Sequence, residues 1–281
     1  MRVPTTFSLS RSADGLIETL SLNRPAALNA INSTMLHELT NYFGSLIEAD
    51  KGLDASSSSL PPPPRVVIIR GEGKGFCGGL DLADTGGFAD KNLYVSLSSQ
   101  SRLSEMIVRM RKCPQPIIAV LHGATCGGGL ALALAADVRV VTPDLKANVA
   151  MATIGLSGCD MGISYHLPRV VGSGIAAELM MSGRFLGAER AERVGFANSI
   201  KPTVEQALGE AVAIAKDMIG LNPMGLALTK SGLNASLSAS SLDSQVALED
   251  RQQVLIATLP DFHQRASDFL AKKATGSKSK L

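Results

Sequence analysis

Apolar positions along the chain switch repeatedly between two periods. Ile17 to Leu22 reads as a strand after the Asp14-Gly15 turn. Met35, Leu36, Leu39, Tyr42, Phe43, Leu46 and Ile47 then recur at helical spacing, which predicts a helix from Ser33 to Ile47 capped by Ser33 or Asn32. Val66 to Arg70 is a second strand. Leu103, Met106, Ile107 and Met110 share one face of a helix over Ser98 to Arg111, which Cys113-Pro114-Gln115-Pro116 ends. Strand Ile117 to Leu121, helix Gly128 to Ala136 and strand Val138 to Thr142 follow. Alternating strands and helices predict an α/β core with crossover connections. From Thr203 onward the pattern is helical, with Thr203 and Gln206 at capping-box spacing. The expected division is a core over 1–200 and a helical region over 201–281. The Ser- and Pro-rich stretch Asp54 to Pro64 reads as a surface insertion, since a strand follows at once.

Two glycine-rich turns interrupt this pattern, Lys74-Gly-Phe-Cys-Gly-Gly-Leu-Asp81 and Gly123-Ala-Thr-Cys-Gly-Gly-Gly-Leu130. Each follows an apolar strand and leads toward a helix. Glycine lets backbone come close to a ligand, and a helix start aims free N–H groups at the turn. Two such turns converging would hold an oxygen that gains charge in a reaction.

Composition narrows the partners. A net charge of +2, 4% aromatic residues and no Trp argue against a nucleic-acid face. No apolar run is long enough to span a bilayer. Cys77, Cys113, Cys126 and Cys159 show neither metal-ligand nor disulfide spacing and read as reduced, so no metal is expected. Cys77, Cys126 and Cys159 fall near the turns, where small buried apolar roles are expected. The terminal Ser279-Lys280-Leu281 is a peroxisomal address, to be read by an import receptor in a eukaryotic cell.

Together these blocks resemble the crotonase superfamily, the enoyl-CoA hydratase/isomerase family. The resemblance runs from Leu22-Asn-Arg-Pro-Ala-Ala-Leu-Asn-Ala30 through both glycine turns and Pro116-Ile-Ile-Ala-Val-Leu-His-Gly123 to Leu167-Pro-Arg-Val-Val-Gly172 and Gly195-Phe-Ala. It implies a crotonase-like spiral of ββα units, a homotrimer or hexamer, and an acyl-CoA substrate that brings the only coenzyme. Arg24, Ala27, Gly78, Gly79, Leu80, Asp81 and Gly128 fall where the family meets coenzyme A and the thioester. The oxyanion-hole amides fall by position on Gly78 and Gly128.

The sequence departs from the family at two acids. A hydratase of this family uses two glutamates. Here those positions are Ala131 and Ala152 or Thr153, which cannot activate water or protonate carbon. Asp160 remains, where dienoyl-CoA isomerases carry an aspartate and 4-chlorobenzoyl-CoA dehalogenases carry a nucleophile. The isomerase's other acids fall on Ala131 and about Met151, and the dehalogenase's Trp is absent. His166 would approach Asp160 only if their loop folds back. An enoyl- or dienoyl-CoA isomerase or hydratase of β-oxidation is expected, with isomerase favoured. The alternatives are a hydrolase-type member or an acyl-CoA binder without hydratase activity, and a structural protein without acyl-CoA affinity.

Overall fold

The computed structural model describes residues 4–50, 62–84 and 92–274. Most of the expected insertion and the whole Ser279–Leu281 signal lie outside the described residues. The chain divides into two compact units, Met1–Ile219 and Gly220–Leu281.

The first unit is built by repetition. β1 (Phe7–Arg11) and β2 (Ile17–Leu22) precede α1 (Ser33–Asp50). Three ββα repeats follow. They are β3 (Val66–Gly71), β4 (Gly75–Cys77) and α2 (Leu93–Lys112); β5 (Ile117–Leu121), β6 (Ala124–Cys126) and α3 (Gly128–Ala135); and β7 (Val138–Val141), β8 (Lys146–Asn148) and α4 (Ala150–Thr153). The first strand of each repeat joins a six-stranded sheet in the order β1-β2-β3-β5-β7-β9, closed by β9 (Ser199–Ile200). The second joins a three-stranded sheet, β4-β6-β8. All pairings are parallel except β1 with β2. The links from first strand to second are short, so both glycine turns lie on adjacent strands of the small sheet. α5 (Ile163–Val171), α6 (Ser173–Ser182) and α7 (Ala188–Arg193) come before β9, and α8 (Val204–Ile219) after it.

Strands of the large sheet are apolar throughout because both faces are covered. In β5, Ile117, Ala119 and Leu121 join the main core, while Ile118 and Val120 pack with Ala207, Ala211 and Ala215 of α8. Those alanines recur every four residues and form a small-residue stripe against the sheet. The boundary expected after residue 200 therefore moves to Ile219, because α8 belongs to the sheet it covers. Asn32 caps α1, accepting from Met35 N at 2.9 Å. α2 begins earlier than Ser98, since Asn92 caps it and its first turns expose Leu93, Tyr94 and Leu97. Exposed apolar residues gave no stripe by which to extend the helix.

The second unit holds α9 (Pro223–Ser236), α10 (Leu242–Ala257) and α11 (Pro260–Ala274). Asn222 and Ser241 cap the first two through side-chain oxygens. A cavity of about 600 Å³ lies between α9 and α10.

Candidate active site

The two turns touch backbone to backbone. A methyl group on Gly79 would stand 3.6 Å from Gly128 N and 3.0 Å from Cys126 O, and one on Gly128 would stand 3.8 Å from the Gly79 carbonyl carbon. Gly79 has φ +110°, a left-handed backbone that other residues rarely adopt. No side chain separates the strands here because neither glycine supplies one.

Gly128 is the first residue of α3, and its N–H has no acceptor among the described residues, as expected one residue into a helix. The other turn differs from expectation. Gly78 N donates to Leu28 O at 2.8 Å, so the amide assigned to the oxyanion hole is already spent. The free amide of this turn is that of Leu80. Gly79 O accepts from Ile31 N at 2.7 Å and Asp81 N donates to Ile31 O at 2.9 Å, a bridge that turns the Leu80 N–H away from Ile31. Leu80 N is bonded to the carbonyl carbon that faces Gly128. The free pair is therefore Leu80 and Gly128.

Arg24 and Asp81, both expected to meet coenzyme A, are turned on each other at 2.8 Å. The Arg24 guanidinium also donates to Ala30 O. Asn29 is fully buried, accepts from Arg24 N and donates to Glu72 O and Gly75 O at 2.9 Å each. These bonds fasten the 24–30 loop, with Ala27 in its short 3-10 turn, to the first glycine turn. The Arg24 guanidinium, between Asp81 and Ala30 O, ties this loop to the first glycine turn.

The positions of the two missing glutamates are apolar or turned elsewhere. Ala131 is buried in α3, and Thr153 donates its hydroxyl to Ala150 O. Beside Gly128 stand Ile31 Cδ1 and Met161 Sδ, 3.1 and 3.5 Å from where a methyl on Gly128 would lie. Met161 adopts φ +45° and directly follows Asp160. Asp160 Oδ1 accepts from Met161 N at 2.7 Å and from the Gln100 side-chain amide; its Oδ2 has no partner among the described residues. The pairing of Asp160 with His166 does not form. His166 is held neutral, its pKa lowered to about 4 by burial and then by Arg111, Arg169 and Arg139.

The cysteines divide. Burial pushes the Cys77 thiol up to about 12 and raises that of Cys126 less far, so neither is a ready thiolate. Cys159 is exposed, against the buried role expected for it. His122 is buried and bonds Gly73 O at 3.0 Å, a structural role.

Two unpaired amides thus lie on turns whose backbones are in van der Waals contact, and Asp160 directly precedes Met161, which flanks Gly128. A family model described as Enoyl-CoA hydratase/isomerase matches residues 13–275. The chain belongs to this family. It is 34% identical over 264 residues to the Probable enoyl-CoA hydratase echA12 of Mycobacterium leprae (strain TN), covering 92% of this chain and 85% of that one. It is 31% identical over 273 residues to 1,2-epoxyphenylacetyl-CoA isomerase of Escherichia coli (strain K12), covering 95% and 97%. A crystal structure of an enoyl-CoA hydratase from Mycobacterium smegmatis superposes with a TM-score of 0.84 at 26% identity, covering 95% of this chain and 97% of that one. Relatives thus include proteins named as hydratases and as isomerases. Among the described residues no single helix is long and apolar enough to cross a membrane.

Proposed function

We propose that this member of the family is a double-bond isomerase of acyl-CoA thioesters, with Asp160 as its proton carrier. The observation that carries this reading is the half-free carboxylate: Asp160 has one oxygen held and the other open, while the places of both hydratase glutamates hold no acid. Asp160 Oδ2 takes a proton from the carbon beside the thioester of a 3-enoyl-CoA. The electron pair moves toward the thioester oxygen, which gains charge against the Leu80 and Gly128 N–H groups. The pair then returns, the proton is delivered to the fourth carbon, and the double bond lies between carbons two and three. No atom is gained or lost, and no coenzyme beyond the substrate's own takes part.

The test is turnover of 2-enoyl-, 3-enoyl- and 3,5-dienoyl-CoA, read by product mass and ultraviolet spectrum. The 3-enoyl or 3,5-dienoyl thioesters are expected to isomerise, and crotonyl-CoA to gain no water. Asp160→Asn is expected to lower kcat by roughly 10²–10⁴-fold with the fold intact. Full turnover by that variant, or rapid hydration of crotonyl-CoA, would overturn the reading.

A homotrimer or hexamer is part of the proposal. It is supported by large apolar side chains left in the open, Met181 at 87% and Phe185 at 60% exposed. Light scattering on the purified protein decides it.

A further inference from the structure

Gln100 stands where α2 turns from solvent to core. It lies three residues before Leu103 and seven before Ile107, on the stripe that both bury. A polar residue on an apolar stripe needs a partner, and the partner here is Asp160 across the 160–162 turn. About two turns further along the same face, Ile107 Cγ2 lies 3.8 Å from where a methyl on Gly162 would stand. α2 therefore meets the Asp160 turn twice, once through a polar contact and once through an apolar one.

The polar contact acts on one atom. Asp160 Oδ1 accepts from both the Gln100 amide and Met161 N–H, while Asp160 O accepts from Ile163 N at 2.8 Å. The bond from Ile163 fixes only the backbone of the turn, and the bond from Met161 N–H holds Oδ1 from within the same turn. A single donor leaves the carboxylate able to pivot about that one contact. The Gln100 bond comes from another helix and removes that freedom. A carboxylate with one oxygen pinned by two donors presents the other in a single orientation, and a proton carrier works only from such a fixed geometry.

We propose that Gln100 is a positioning residue, holding Asp160 Oδ1 so that Oδ2 alone is presented to the acyl chain. The proposal rests on the proton-carrier reading of Asp160. Gln100 itself touches no reacting atom.

The experiment compares Gln100→Met, Asp160→Asn and the double variant, using the best substrate of the enoyl-CoA panel. Methionine keeps the length and helix preference of glutamine but donates no hydrogen bond; Gln100→Leu repeats the test with a branched side chain. Gln100→Met is expected to lower kcat by about 100-fold, the scale of a small misplacement of a catalytic group. KM, calorimetric affinity for the product acyl-CoA and Tm are expected to stay near wild type, the split that marks loss of a transition-state interaction alone. In the Asp160→Asn background the same substitution is expected to cost nothing further, because the group it positions is already gone. Full kcat in Gln100→Met and Gln100→Leu, alongside a dead Asp160→Asn, would overturn the role of Gln100 and leave that of Asp160 standing. Losses that multiply in the double variant would overturn it equally, since Gln100 would then act independently of Asp160. Full turnover by Asp160→Asn would remove the proton-carrier reading itself, and the role of Gln100 with it.

Discussion

The two glycine turns look alike in sequence and are held in unlike ways. The second is the start of a buried helix. Gly128 owes its free amide to helix geometry, and its surroundings are packed from every side: a methyl group on the adjoining Gly129 would stand 2.2 Å from Cys77 O. The first turn leads into the short 3-10 helix Leu82–Asp84, whose residues are not buried. Its free amide, at Leu80, exists because Ile31 pairs with the residues on either side of it, and Ile31 is positioned by a loop that Arg24, Asn29 and Asp81 fasten down. One donor is set by local backbone geometry; the other is set by contacts across some fifty residues of chain. The two should therefore fail differently when perturbed.

The largest effect is expected at the second turn. Gly129→Ala forces a Cβ into the Cys77 backbone, which no side-chain movement relieves. It is expected to cost at least about 3 kcal/mol, roughly 6–12 °C in Tm for a unit of this size, or to abolish soluble expression. Calorimetry that found wild-type Tm would contradict the packing described.

Next comes the donor itself. Replacing Leu80 by its α-hydroxy analogue turns that amide into an ester and removes the N–H while keeping the side chain. Turnover is expected to fall by about 10²–10³-fold, the usual cost of one oxyanion donor. Unchanged turnover would show that the thioester oxygen is not held at Leu80.

The clamp behind the first turn is expected to matter less. Arg24→Ala breaks the partly buried pair with Asp81 and frees the 24–30 loop. The expected loss is about 1–2 kcal/mol of stability, above the surface-pair range because both groups are largely covered. Affinity for an acyl-CoA should fall in Asp81→Ala as well, and the double variant should lose little more than either single one. If Arg24 instead gripped a phosphate, Arg24→Ala would weaken binding and Asp81→Ala would not.

Each turn also carries a cysteine, and these report how well it is sealed. Cys77 is buried and its thiol is raised to about 12 from 9.0, while Cys126 is only half-buried. Native alkylation is expected in the order Cys159, Cys126, Cys77, with Cys77 labelled only on unfolding. The raised pKa also sets a sign. Its contribution to stability is complete below pH 9.0, where the thiol is protonated folded or unfolded. It is lost as pH climbs from there toward about 12, where only the unfolded chain releases the proton. Cys77→Ala should flatten that alkaline fall in Tm. Labelling of Cys77 as fast as Cys126 would mean that the first turn opens.

Much of this was readable before the structure. Strand Ile117–Leu121 was bounded to the residue, because five apolar residues between Pro116 and a glycine turn admit one reading. Gly128 was readable for a similar reason, since a helix start dictates a free amide whatever surrounds it. Placing the amide on Gly78 followed the glycine, which marks where backbone bends, whereas the free N–H lies where the bend releases it. That location depends on Leu28 and Ile31, which are distant in sequence and carry no polar side chain to betray the contact. Gln100 was missed although a signal was present: continuing the Leu103, Ile107 stripe one turn back reaches a polar residue. The pairing of Arg24 with Asp81 left no local trace, because nothing in either motif specifies the other.

The smallest effect is expected at the residue the sequence had favoured. An ester in place of the Gly78 amide, made by substituting glycolic acid, removes the bond to Leu28 O at 2.8 Å and nothing that faces the gap between the turns. The expected cost is about 0.5–1.5 kcal/mol of stability, the net worth of one neutral hydrogen bond. Turnover should stay near wild type, because Ile31 still pairs with Gly79 O and Asp81 N and still holds the Leu80 amide in place. Side by side, the esters at 78 and 80 remove one N–H each from backbone positions two residues apart. Equal losses of rate would mean that the turn works as one elastic unit. A loss confined to position 80 would mean that the bond from Gly78 secures the loop while Leu80 serves the reaction.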